Sequence, residues 1–362
     1  MKILLLGGTG AMGLHLSRIL ADRGDEVFVT SRKQRIEQEH IHYIQGNAQD
    51  LSFITSLFSE GWDAIVDFMI YPTEVFKSRL ELFLNSTKQY VFLSSSRVYS
   101  DKETPIKENT PRLLDVTCDK DYLATDEYAL KKAREEDLLF RSGRKNFTII
   151  RPYITYSENR LQLGDLEHSN WLFRALDGRT IVFSEDVASH YTTLTYGYDV
   201  AKGIAATIGS EKAFGETFHI TGTTTMRWGD ILNIYLNAIE RFTGEKPKVK
   251  MIPKSLKLKL KDSQYQIKCD RLYDRIFDNS KILSIDSSLT FMSPEEGLTE
   301  CVGEYIKNWR KTKVSYLEEA DRDIITKEHI KLKNIDNSRN KVIYFVCRYL
   351  RLTWLLRMIA KI

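Results

Sequence analysis

Short, mainly apolar runs alternate with longer amphipathic stretches through the first 150 residues. Runs at 3–6, 27–29, 41–44, 64–68, 90–93 and 147–150 have the length and continuity of strands buried on both faces. Between them, 14–21, 51–58, 75–84 and 128–140 repeat apolar residues at steps of three and four, the period of a helix with one face in a core. Strand–helix alternation predicts an α/β fold, a Rossmann-type doubly wound parallel sheet. Right-handed crossovers then bring every strand's C-terminal end to one edge, where ligands bind.

Past residue 150 the pattern loosens. Loops lengthen, Gly and Thr cluster at 221–225, a helix is predicted over 231–241, and a basic stretch follows at 246–261. The organisation expected is a dinucleotide-binding domain over 1–150 and a smaller C-terminal substrate lobe with late sheet elements over 151–310. A charged linker over 311–336 and a basic amphipathic tail helix over 337–362 follow.

Seven prolines among 362 residues exclude a collagen-like chain. Cys118, Cys269, Cys301 and Cys347 form neither a CxxC pair nor a metal spacing, so they read as reduced thiols. The seven histidines show no ligand spacing, and no metal is expected. The net charge is +4, but the tail from Asn337 carries six basic residues and no acid, which leaves −2 on the rest. A slightly acidic body disfavours nucleic acid as a partner. The run 3–6 is too short for a signal peptide, and no uncharged apolar stretch reaches the ~18–20 residues of a membrane span. A cytoplasmic protein is expected.

Gly7-Gly8-Thr9-Gly10-Ala11-Met12-Gly13 follows the first strand and opens the first helix. In that setting Gly7 permits a tight turn, Gly10 lets backbone approach a pyrophosphate, and Gly13 lets the helix pack close to the strand. Thr9, Ala11 and Met12 complete the loop, whose helix N-terminus favours phosphate. The second strand ends in Thr30-Ser31-Arg32-Lys33, with Arg35 following. No carboxylate stands there for a ribose hydroxyl, whereas Arg and Lys suit a 2′-phosphate. NADP is therefore expected over NAD.

Ser94-Ser95-Ser96-Arg97-Val98-Tyr99 ends the fifth strand, and Tyr128 and Lys132 stand four apart on the next helix. That spacing puts both on one helix face. An ammonium beside a phenol favours the phenolate and suits Tyr128 to proton transfer. A serine from the strand end can hydrogen-bond the same substrate oxygen. Glu135 and Glu136 read as solvated helix surface, His40 and His42 as one face of a strand, and Trp171 and Phe173 as packing, with stacking on a sugar or base as the alternative.

With these motifs the chain resembles the extended short-chain dehydrogenase/reductase family, which includes nucleotide-sugar epimerases, dehydratases and reductases. The match covers about residues 1–310. It rests on the glycine loop, the serine strand, Tyr128 and Lys132, Arg151-Pro152-Tyr153, Asp199-Val200-Ala201, and the segments 277–281 and 294–298. The resemblance implies Ser95 as the catalytic serine and Lys132 as a contact to both Tyr128 and the nicotinamide ribose. It places Asn47 where the family has an adenine-contacting Asp, with Ala48 and Pro152 beside the cofactor and Phe68 and Met69 lining its groove. Arg97 and Tyr153 fall on the substrate side. Ile154 replaces a customary Asn and Thr192 a customary diphosphate-binding Arg, so Arg271 and Arg275 are the candidates to supply that charge. The Asp-Glu pair of the 4,6-dehydratases is missing, which disfavours β-elimination.

The reading is an NAD(P)-dependent oxidoreductase or epimerase acting on a carbinol or carbonyl carbon, with a nucleotide-linked sugar as substrate class. The alternative is a non-catalytic dinucleotide-sensing or RNA-binding relative of the same fold. The stretch 341–362 mixes large apolar residues with basic ones. It suggests peripheral contact with the inner face of a membrane, or else docking on the body or on the second copy of a homodimer.

Overall fold

The computed structural model describes residues 1–258, 264–308 and 314–359. The ends of the expected basic stretch (259–261), the start of the expected linker (311–313) and the last tail residues, Lys361 included, lie outside the described residues.

Seven strands form the central sheet: β1 (Lys2–Leu6), β2 (Glu26–Ser31), β3 (Ile41–Gln45), β4 (Trp62–Asp67), β5 (Thr87–Leu93), β6 (Phe147–Pro152) and β7 (Glu216–Ile220). Their order is β7-β6-β5-β4-β1-β2-β3, with every neighbour parallel. The strand order reverses between β1 and β4, which makes the crevice at their C-terminal ends the topological switch point. The doubly wound sheet expected from the sequence is present.

Successive side chains of a strand point to opposite faces, and both faces here are covered. Ile3 and Leu5 join Leu16 and Leu20 of α1 (Gly13–Asp22) in one core. Leu4 and Leu6 join the other, with Ile54 of α2 (Leu51–Phe58) and Phe76 and Phe83 of α3 (Thr73–Asn85). This two-sided burial is why the strands read as mainly apolar runs. Helix α4 (Tyr128–Arg141) precedes β6, and α5 (Gly197–Thr207) packs Val200 and Ile204 into the core that holds α1.

The chain divides into two compact units, each built from three segments. The first comprises Met1–Asn159, Thr192–Thr225 and Asp274–Gly297; the second comprises Arg160–Tyr191, Met226–Tyr273 and Leu298–Ile362. The single boundary expected near residue 150 is thus replaced by repeated crossings. The chain returns to the first unit because α5 completes a core and β7 completes the sheet.

The second unit contains α6 (Trp228–Thr243), a parallel strand pair (Ile181–Ser184 with Val249–Ile252), α7 (Tyr316–Thr326), α8 (Ser338–Leu350) and α9 (Thr353–Ile359). Residues 311–336, expected as a linker, include a buried helix. Asp323 of α7 meets Arg174 at 2.8 Å and Arg179 at 3.0 Å, and Glu319 meets Arg174 at 3.0 Å, all within the interior. Burial raises the Asp323 carboxyl, but the two guanidiniums outweigh it and hold it below the usual range. The tail is docked too: Tyr344 is buried and donates to Asp323 at 2.6 Å.

Candidate active site

The glycine loop is shaped by its neighbours. Gly7 holds φ +70°, which favours glycine, and a Cβ there would also displace the Met69 side chain, whose Sδ would stand 2.5 Å away. Its N–H donates to the Thr30 Oγ1 at 2.8 Å, which lets the end of β2 hold the turn. A Cβ on Gly13 would meet the Gly8 backbone at 2.6 Å. The helix therefore packs on the loop itself, where the spacing predicted packing on the strand. A Cβ on Gly10 would meet nothing within 4 Å, the clearance that close approach of a pyrophosphate needs. The first turn of α1 has no side-chain cap at Met12, so its N–H groups are free of that partner. These features fit a dinucleotide's phosphates. Gly197, at the start of α5, presses on the carbonyl of Ala11. The sequence reading missed it, although a glycine two residues before Asp199 was a visible signal.

Along the same edge, Ser31 is buried and its Oγ accepts from the Lys33 N–H at 3.2 Å. Arg32, Lys33 and Arg35 are exposed, with the Arg35 guanidinium 5.7 Å from the Tyr43 ring centroid. After β3, the Asn47 Oδ1 accepts from the Gln49 N–H at 3.2 Å, and Ala48 is buried. After β4, Phe68 packs on one core and Met69 on the other, while the Met69 N–H donates to Asp67 at 2.9 Å. Pro152 ends β6 on this edge.

The proton-transfer candidates are held by a clamp. Ser95 caps the short turn Ser96–Val98, its Oγ accepting from the Arg97 N–H at 3.2 Å. Arg97 donates to Glu127 at 2.6 Å, and its guanidinium lies 5.2 Å from the Tyr128 ring centroid. Glu127 in turn caps α4, accepting from the Ala129 N–H at 2.8 Å and the Tyr122 O–H at 3.0 Å. Tyr128 is the first residue of that helix, so the cap and Arg97 together set its position. Arg97, expected on the substrate side, instead bridges the serine turn and the tyrosine. Sequence reading missed Glu127, because glutamate is not among the favoured capping residues.

Lys132 stands one turn further, 1% exposed, with its Nζ 3.0 Å from the Glu135 Oε2 and 4.4 Å from the Phe92 ring centroid. Neither that Nζ nor either Glu135 oxygen makes a hydrogen bond among the described residues. Burial pushes the Glu135 carboxyl up to about 7, with Lys132 pulling the other way. Nearby Asp67, at the end of β4, is also raised by burial, opposed by a 2.7 Å bond from the Tyr90 O–H.

Glu135 and Glu136 are therefore not solvated surface: both are fully buried. Glu136 accepts from Ser94 at 2.5 Å, from the Arg151 Nε at 2.8 Å and Nη2 at 2.7 Å, and from Arg112 at 3.2 Å. That network ties the ends of β5 and β6 to α4. Burial raises the Glu136 carboxyl, yet these partners hold it below the usual range.

The remaining expected site residues separate. Tyr153 is buried 5.2 Å from the Phe277 ring centroid, and its O–H has no hydrogen-bond partner among the described residues. Arg275 is enclosed and donates to the carbonyls of Ser100 at 3.2 Å and Tyr99 at 3.1 Å. Arg271, in the second unit, donates to the Gly164 carbonyl at 2.8 Å and pairs with Asp270. Both guanidiniums make structural contacts within their own units, to backbone carbonyls and, for Arg271, to Asp270. Ile154 holds φ +27°. For a β-branched residue this is a strained backbone, of order 1–3 kcal/mol. No group of three or more potential metal ligands occurs among the described residues.

Loop, strand order and Tyr128 helix together define the class, and comparison with known sequences agrees. The chain belongs to the NAD dependent epimerase/dehydratase family, whose pattern matches residues 3–220, more than half its length. It is 29% identical over 238 residues to the chloroplast stem-loop binding protein of 41 kDa b from Arabidopsis thaliana, covering 61% of this chain and 58% of that protein. It is 31% identical over 137 residues to the UDP-glucose 4-epimerase of Lacticaseibacillus casei, covering 31% of this chain and 41% of the enzyme. The chain thus spans well under two thirds of either relative. Its fold is similar to UDP-glucuronic acid 4-epimerase from Bacillus cereus, solved with UDP-glucuronic acid and NAD (TM-score 0.65, 17% identity, 86% of this chain and 100% of that one). It is also similar to epimerase Mth375 from Methanothermobacter thermautotrophicus (TM-score 0.67, 18% identity, 85% and 93%).

Proposed function

We propose that this protein is an NADP-preferring epimerase or reductase that acts on a carbinol or carbonyl carbon of a nucleotide-linked sugar. The observation that carries the reading is the Ser95–Arg97–Glu127 clamp on Tyr128, with the buried Lys132 ammonium one turn along the same helix. The glycine loop holds the pyrophosphate, Arg32 and Lys33 meet the 2′-phosphate, and Lys132 is the residue that would meet the nicotinamide ribose, for which its enclosed Nζ must leave Glu135. When bound, the dinucleotide supplies a site that takes up and returns hydride. Tyr128 exchanges one proton with the substrate oxygen: its phenol donates to a carbonyl oxygen as that carbon is reduced, and the phenolate so formed takes the proton back when the hydroxyl is oxidised. The Ser95 hydroxyl fixes the same substrate oxygen, and Arg97 holds the tyrosine ring in place. Epimerase and reductase differ only in whether hydride returns to the same molecule.

The non-catalytic alternative has support in the likeness to a stem-loop binding protein. The complete Ser95, Tyr128 and Lys132 set favours the enzyme. The test is nuclear magnetic resonance assay of UDP-sugars incubated with the chain and either cofactor. Tyr128→Phe keeps the ring, so folding and cofactor binding should persist while turnover falls by roughly 10²–10⁴. Near-normal turnover in that variant would remove Tyr128 from the chemistry.

A further inference from the structure

Helix α8 has two unlike faces. Its inner face seats Tyr344 and Cys347 in a core shared with Tyr316 and Ala320 of α7. Polar anchors fix it there: Tyr344 donates to Asp323 at 2.6 Å, and the Arg348 Nε donates to the Glu328 carbonyl at 3.0 Å. The helix therefore cannot roll to hide its other side. That outer side carries Val342, Phe345 and Tyr349, each more than half exposed. Steps of three and four place them on one face, and the Phe345 and Tyr349 ring centroids lie 5.1 Å apart. Trp354 of α9 is likewise more than half exposed. Arg339, Lys341 and Arg351 are exposed in the same stretch, and no acid follows Asp336.

We propose that the outer face of α8, with Trp354, is a docking surface for an anionic lipid bilayer. Large aliphatic and aromatic side chains bordered by basic ones suit the boundary between acyl chains and headgroups. Tryptophan and tyrosine favour that depth, where one end of the ring is apolar and the other wet. Charge decides against a second copy of the chain. A two-fold interface sets the same patch against itself, which would bring Arg339, Lys341 and Arg351 against like charges. An anionic headgroup layer answers the same cations with opposite charge. None of the described helices is long and apolar enough to cross a membrane, so contact through this face is peripheral.

Sedimentation of the full-length chain with phosphatidylcholine–phosphatidylglycerol vesicles, and separately with phosphatidylcholine vesicles, tests the assignment. Binding to the anionic vesicles should be at least about tenfold stronger and should weaken with salt, which screens charge. The triple variant Phe345→Ser, Tyr349→Ser, Trp354→Ser changes only exposed side chains. It should keep its melting temperature and lose vesicle binding. Arg339→Glu with Lys341→Glu should abolish the preference for anionic lipid. Wild-type chain left in the supernatant with both vesicles overturns the proposal, as does equal binding by wild type and triple variant. A dimer in analytical ultracentrifugation that the triple variant disperses, without vesicle binding, assigns the face to a second copy and also overturns it.

Discussion

Glu136 and Glu135 are neighbours on one helix and equally buried, but their charges are met in opposite ways. Around Glu136, Ser94, Arg151 and Arg112 supply four hydrogen bonds from three parts of the chain. Around Glu135 there is one ammonium at 3.0 Å and no hydrogen bond among the described residues. A buried charge whose partners are complete acts as scaffold, whereas a half-met one is expensive unless something else completes it. The half-met pair lies beside Asp67, where β4 ends at the switch point. The contrast separates what holds this site together from what the site holds.

The largest effect should come from breaking the complete network. Glu136→Ala strands the Arg151 guanidinium in the interior, and unfolding in urea should show a loss of about 3–5 kcal/mol. If Glu135→Ala costs as much, the two glutamates are equivalent and the contrast fails. Next comes pH. Glu135 titrates near 7 when folded and at its ordinary 4.5 when unfolded. Between those values the folded chain keeps a proton that the unfolded chain has lost, so stability should fall as pH rises through this window. The full fall is about 3 kcal/mol. Urea midpoints at the two ends of the window should show that slope in wild type and lose it in Glu135→Gln.

Smaller effects would sharpen the contrast. Lys132→Met leaves buried Glu135 without its ammonium, but at a pH below 7, where Glu135 holds its proton, the stability loss should stay under the ~3–5 kcal/mol of breaking a charged buried pair. Dinucleotide affinity and turnover should nevertheless both drop, as fluorescence titration and assay would show. A large stability loss with intact affinity would make Lys132 scaffold as well. Arg32→Ala should narrow the preference for NADPH over NADH about tenfold, roughly 1.4 kcal/mol. Equal affinities in the wild-type chain would remove the NADP preference altogether.

Much of the first unit was legible in the sequence. Strands buried on both faces leave mainly apolar runs, and glycines set by a left-handed turn, an open approach or close backbone contact leave a spacing. What stayed hidden was charge buried against charge. Glu136, Asp323 and Glu319 look like surface residues until Arg151, Arg174 and Arg179 are brought to them. Arg174 and Asp323 are far apart in sequence, and no local pattern announces their meeting. The same blindness made a linker of α7. The burial of Arg271 and Arg275 was hidden too, because their backbone carbonyl partners carry no sequence signature.

The contact between Gly197 and the carbonyl of Ala11 also sets a timetable. During synthesis, the loop that begins at Gly7 leaves the ribosome long before the helix that braces it. At about 5–20 residues per second, α5 follows α1 by roughly 10–40 seconds. Through that interval Leu16 and Leu20 lack Val200 and Ile204, their eventual neighbours in the core. The nascent chain therefore carries an unbraced glycine loop and an uncovered oily flank, a natural stage for chaperone attendance. A fragment ending before residue 197 would be arrested in that state.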